Sequence, residues 1–224
     1  MIFYLGTSTV IYFSYVCLDY YLADYFPDST VIVTRKYRVA NVVKSVTLMG
    51  LCVPGTQFIY NLTFYPELNQ EATMNMIGAV YASTDLAALL YNPNCHNSTL
   101  VHHIVVQFFY YYCYFMNFNM HESATRGIAI YCVLSSYAFL VNFRLAIRTL
   151  PYKEFEYYIN EASLFIYITT SMINWIVQTY LLFGGINMLL LERVIYMLLL
   201  TVTINDDLFL IKFLRKIDYK INES

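Results

Sequence analysis

The sequence predicts an all-α protein, a polytopic transmembrane helical bundle of about seven spans. Three observations carry this. Of the 224 residues, 59% are hydrophobic and 12% are charged, where a soluble domain carries roughly 25% charged residues. The apolar residues are gathered into runs close to the roughly 20 residues that cross a hydrocarbon core about 30 Å thick. The basic residues concentrate between alternate runs.

The first run, 2–18, has no basic segment before it and no small-residue cleavage site after it, so it reads as a span rather than a removed signal. A basic connector, 24–38 with Arg35, Lys36 and Arg38, follows it, and the N-terminal unit is 1–37. The membrane domain, 38–216, then holds the runs 39–64, 73–91, 100–118, 127–143, 162–183 and 194–214, and 217–224 is a tail. Short polar segments separate the runs, and the turn near Gly184 and Gly185 is the least defined. Aromatic and β-branched residues are abundant, yet continuous apolar runs of this length are helices in lipid, because a helix satisfies its own backbone. Barrel strands would alternate over segments of about ten residues.

Orientation follows from charge. Alternate sides receive eleven basic residues (Arg35, Lys36, Arg38, Lys44, Arg144, Arg148, Lys153, Lys212, Arg215, Lys216, Lys220) and two (Arg126, Arg193). Basic residues mark cytoplasmic loops, so the N-terminus is expected to be lumenal and the C-terminus cytosolic. The net charge of −2 gives no reason to expect nucleic acid. The five cysteines form no paired motif, and the sequons at Asn61 and Asn97 are expected to stay unmodified, at a membrane edge and on the cytosolic side.

Ionisable groups within spans are costly and mark function or a paired contact. The spans contain Asp85, His102, His103, Asn142, Arg144, Asn205, Asp206 and Asp207. The topology sets most of them at similar depth in the cytosolic half, where they could line one cavity. The bland readings are a helix-capping role for the histidines, a Lys44 or Arg144 partner for Asp85, an anchoring role for Arg144, and packing for Trp175. His96, His102 and His103 do not reproduce the spaced boxes of a di-iron enzyme, and neither a metal nor a cofactor is expected.

Several segments resemble the TLC-domain family, which includes ceramide synthases, translocon-associated proteins and lipid-regulating proteins. Tyr81-Ala-Ser-Thr-Asp85-Leu followed by Leu100-Val-His102-His103-Ile is similar to its Tyr-x-x-x-Asp-Leu and Leu-x-His-His-Ile segments. The stretch from Leu134 to Arg144, with Asn142, resembles a later motif, and Asn205 onwards resembles the last span. The chain lacks the His-Asp-x-x-Asp of the synthases, so the resemblance implies a non-synthase member. That implies a multi-pass protein, of the endoplasmic reticulum or a related endomembrane, that binds or senses lipid and influences membrane lipid composition or trafficking. Asp85, His102, His103, Asn142, Arg144, Asn205 and Asp206 would line its cavity, with lipids or acyl chains as partners. The alternative is an acyl-CoA-dependent lipid N-acyltransferase, with His102 or His103 as catalytic group, Asp85 as its orienter and acyl-CoA as substrate. A receptor or channel is a second alternative, on span count alone. Whether the chain catalyses anything stays open at this stage.

Overall fold

The computed structural model describes residues 1–24, 29–65, 68, 70–92, 97–115, 124–147, 153–185 and 189–222. Among them the secondary structure is helical, with no strand. The elements are α1 (Ile2–Ala23), α2 (Ser29–Phe64), α3 (Glu71–Tyr91), α4 (Asn97–Phe115), α5 (Thr125–Ser136), α6 (Phe139–Ile147), α7 (Lys153–Tyr180) and α8 (Leu190–Asn222). A π-helical turn, Leu181–Gly185, continues α7.

Four stretches are long and apolar enough to cross a membrane: Ile2–Ala23, Arg35–Phe64, Thr125–Ile147 and Leu190–Arg215. At most 44% of the apolar window in any of them is buried inside the protein. Ile2, Val10 and Phe13 on α1 and Leu190, Leu191 and Leu198 on α8 face outward. Apolar surface on this scale requires a covering, and hydrocarbon supplies one without cost to the helical backbone.

Two local features depart from the sequence expectation. Helix α2 starts at Ser29, so Arg35, Lys36 and Arg38 stand on a helix and not in a connector. Contacts hold this extension: Arg35 Nε lies 2.6 Å from Asp19 Oδ1, and Lys36 Nζ sits 5.4 Å from the centre of the Tyr91 ring. The run 127–143 is broken in two. Tyr137 and Ala138 donate their N–H groups to Leu134 O (3.3 Å) and Ser135 O (3.1 Å), a tighter turn than the α-helix makes. The Ser45 hydroxyl braces the break by donating to Phe139 O at 2.8 Å.

Helix α3 is central and packs on α1, α2, α4 and α5, while α6, α7 and α8 follow as a further layer. Small residues allow the close approach. Ala79, Ala82 and Ala87 of α3 are buried against larger neighbours such as Tyr4, Val106 and Tyr15. Neighbouring rods run antiparallel. Helix α2 meets α3 at Lys44–Asp85 and again where Phe58 packs with Met74, and α3 meets α4 at Ala82–Gln107 and Asp85–His103. Helix α2 meets the broken rod at Ser45–Phe139 and Cys52–Ser136, and α7 meets that rod at Asn160–Arg144 and Gln178–Gly127. Helix α7 meets α8 at Tyr167–Asp207 and Gln178–Tyr196. This brings the start of α2, the end of α3, the start of α4, the end of α6, the start of α7 and the end of α8 to one end of the bundle. Arg35, Lys36, Arg38, Arg144, Lys212 and Arg215 lie there, and Arg126 and Arg193 lie at the other. Arg148 lies outside the described residues, as do the side chains of Lys153, Lys216 and Lys220.

Candidate functional site

The basic-end half of the bundle encloses a cavity of about 500 Å³. Ligand sites typically measure about 300–1,000 Å³. Its outer part is bounded by Asn92 and Thr99, at the end of α3 and the start of α4, with Tyr37 and Phe213. Its inner part reaches Tyr81 of α3 and Asn174 of α7, near mid-bundle. Apolar side chains such as Leu48, Val141 and Leu210 make up much of the wall. The broken rod contributes Leu134, Ser135, Ala138 and Asn142 from both sides of its break.

Four helices bring charge to one wall. Asp85 of α3 is fully buried. Its Oδ1 accepts a hydrogen bond from Lys44 Nζ of α2 at 2.5 Å. His103 Nδ1 of α4 lies 3.0 Å from the same oxygen but off the line of a hydrogen bond. His102 Nε2 stands 3.9 Å from Asp85 Oδ2, and its Nδ1 lies 3.1 Å from Asp206 Oδ2 of α8. Helix geometry explains why adjacent histidines divide their work. They point about 100° apart, so His103 turns into the α3 contact and His102 reaches across towards α8.

Asp207, next to Asp206, is held differently. It accepts from the Tyr167 hydroxyl at 2.7 Å and from Trp175 Nε1 at 2.9 Å, both on α7. Both partners were absent from the sequence-derived site. A signal existed, because an indole N–H buried among apolar residues needs an acceptor, and the carboxylates of α8 were the available ones at that depth.

Of the sequence-predicted residues, His102, His103, Asn142 and Asp206 line the cavity. Asp85 sits behind that wall, covered by Lys44 and the histidines. Arg144 and Asn205 lie elsewhere. Arg144 is fully buried, with its guanidinium 2.9 Å from Glu156 Oε1 and its Nε donating to Asn160 Oδ1 at 3.2 Å. It ties α6 to α7 and does not line the cavity. Asn205 is exposed and donates to Thr201 O of its own helix at 3.0 Å. The segments with His96 and His121 lie outside the described residues.

Chemically, the wall offers carboxylates, imidazoles and an ammonium group to a molecule whose remainder would meet apolar side chains. No protein-family model matches the chain, and neither a curated protein nor a solved structure matches it. The comparisons thus lend no support to the resemblance to TLC-domain proteins.

Proposed function

We propose that this chain is a seven-span membrane protein of TLC type that binds a lipid or acyl chain in its internal cavity and so senses or influences membrane lipid composition. The N-terminus is lumenal, the cavity opens on the cytosolic half, and the endoplasmic reticulum or a related membrane is its place. The observation that carries the reading is the cavity itself: about 500 Å³, largely apolar, with one charged wall formed by Lys44, His102 and Asp206. Such a wall suits a polar headgroup while the apolar remainder suits a chain. The runs on α3, α4 and α7 complete the seven spans, and the division of basic residues supports the orientation.

The acyltransferase reading has one favourable contact, Asp206 against His102 Nδ1, since a carboxylate there orients an imidazole in known catalytic triads. The other nitrogen argues against it. Nε2 points to Asp85 at 3.9 Å, and a general base or nucleophile must present that nitrogen to a substrate. Native mass spectrometry of the chain purified in mild detergent tests the proposal. A retained lipid, diminished by filling the cavity with Asn142→Trp, is expected. Turnover of a long-chain acyl-CoA by the wild type that is abolished in His102→Ala would replace binding with catalysis.

A further inference from the structure

The two oxygens of Asp85 are treated unequally. Oδ1 faces Lys44 and His103 at 2.5 and 3.0 Å. Oδ2 is buried without a hydrogen-bond partner, and His102 Nε2 faces it at 3.9 Å. A buried carboxylate oxygen without a donor is costly, and it is aimed at a ring that holds a second carboxylate, Asp206, at its far nitrogen, 3.1 Å away. A neutral imidazole has one N–H and can donate to one of them. An imidazolium has two and can donate to both. The observed distances suit a ring that serves Asp206 and stops short of Asp85.

We propose that His102 is a proton-operated latch between α8 and α3 that regulates the cavity. A proton taken from water in the cavity gives Nε2 a hydrogen to donate to Asp85 Oδ2. Closing that contact to the roughly 2.7–2.9 Å of a charge-assisted bond requires about 1 Å of movement, and it ties α8 to α3 through one ring. Release of the proton to water leaves α8 held through Asp206 alone. This deepens the lipid-binding reading by giving that site a regulator, and the latch geometry does not depend on a lipid.

The groups facing the ring support a single proton. Asp85 faces it from α3, Lys44 from α2 and Asp206 from α8, with His103 beside it on α4. Lys44 offsets one of the two carboxylates, which leaves one negative charge for the ring to offset. Asp207 of α8 is already committed to Tyr167 and Trp175. The described cavity residues of α6 and α7 include Asn142 and Asn174, which are uncharged. His103 does not duplicate the role, because it faces the oxygen that Lys44 already serves.

The chain has one tryptophan. Trp175 donates to Asp207, the neighbour of Asp206, at 2.9 Å, so its emission reports the position of α8. The test is to titrate the purified full chain in detergent, without added lipid, across the histidine range of about pH 5 to 8. A single reversible step in Trp175 emission is expected in the wild type. The step should vanish in His102→Gln and in Asp85→Asn and survive in His103→Gln. No step in the wild type, or an undiminished step in His102→Gln, overturns the latch. Circular dichroism identifies a variant that has not folded. Asp206→Asn, at the more exposed end of the bridge, then takes its place with the same loss expected. Lipid retention is measured separately by mass spectrometry at both pH extremes. A step without lipid leaves the latch standing and refutes the lipid reading, and lipid without a step does the reverse.

Discussion

The two halves of the bundle use their polar side chains in opposite ways. At the basic end, carboxylates and imidazoles converge on a cavity of about 500 Å³, and one oxygen of Asp85 is left without a donor. At the other end Gln178, Tyr196, Tyr112 and Glu192 close on one another or on backbone. The Tyr196 hydroxyl donates to Gln178 Oε1, and Gln178 Nε2 donates to Gly127 O at 3.0 Å. Glu192 accepts from the Tyr112 hydroxyl and from Ala124 N at 2.9 Å. The space left there is an apolar void of about 20 Å³ between α2, α3, α4 and α5, close to the size of one water. Hydrogen bonds closed within the protein and close packing favour one fixed arrangement. Unsaturated groups around a cavity favour a ligand or a second arrangement. The basic end therefore reads as site and the other end as scaffold.

The sharpest way to break this contrast is to unbalance the ion pair of the cavity wall. Lys44→Met leaves Asp85, fully buried, without its ammonium partner, and removing one member of a buried pair costs about 3–5 kcal/mol. Lys44→Met combined with Asp85→Leu removes both charges and should recover most of that loss, because an apolar pair of similar size is often neutral. Denaturant unfolding in micelles checks both. If the double variant is as unstable as the single one, the pair is not the source of the effect.

Much of this architecture is legible in the sequence, and the reasons for the rest are physical. The seven apolar runs all fall on helices, although the last residues of 100–118 lie outside the described segment. Continuous apolar runs of this length favour helix, which satisfies its own backbone, so composition points to the elements. The break at Tyr137–Ala138 is not legible, since no proline or glycine marks it. It follows from tertiary bracing by Ser45. Conversely Pro54 lies within α2 without ending it. The convergence of Asp85, His102, Asn142 and Asp206 follows from helix alternation, which the basic residues reveal. That Arg144 turns away from the cavity is not legible, because its partners on α7, Glu156 and Asn160, come from a segment that reads as a polar connector. Side-chain pairing across two helices has no local sequence signature.

The scaffold half can be probed at its closest approach. A Cβ added to Gly127 would lie 2.8 Å from Tyr196 Oη and 3.2 Å from Gln178 Oε1. Gly127→Ala must displace a hydrogen-bonded tyrosine, and overpacking of this kind costs about 1–3 kcal/mol. Tyr196→Phe alone leaves the Gln178 oxygen without its donor, at about 1–3 kcal/mol. With the hydroxyl gone, however, the added methyl has room. The double variant should thus be more stable than the sum of the single costs predicts, and a thermodynamic cycle measures the coupling. Neither change should alter lipid retention, because both lie away from the cavity wall. Loss of lipid in Gly127→Ala with the fold intact would dissolve the division into scaffold and site.

The smallest effect is expected one residue from the wall. Asn205 and Asp206 are adjacent in sequence and about 100° apart on α8. Asp206 faces His102, while Asn205 is exposed on the outer surface with its amide bonded to its own helix. Asn205→Leu removes a side chain that touches neither the cavity nor another helix, and in hydrocarbon the leucine is the more favourable residue. Its effect on stability should stay within about 0.5 kcal/mol, the usual range for surface changes, and lipid retention and the Trp175 pH response should match the wild type. Asp206→Leu, one position along, should abolish that pH response. If Asn205→Leu instead behaves like Asp206→Leu, the outer face of α8 is not facing lipid, and a partner covers it.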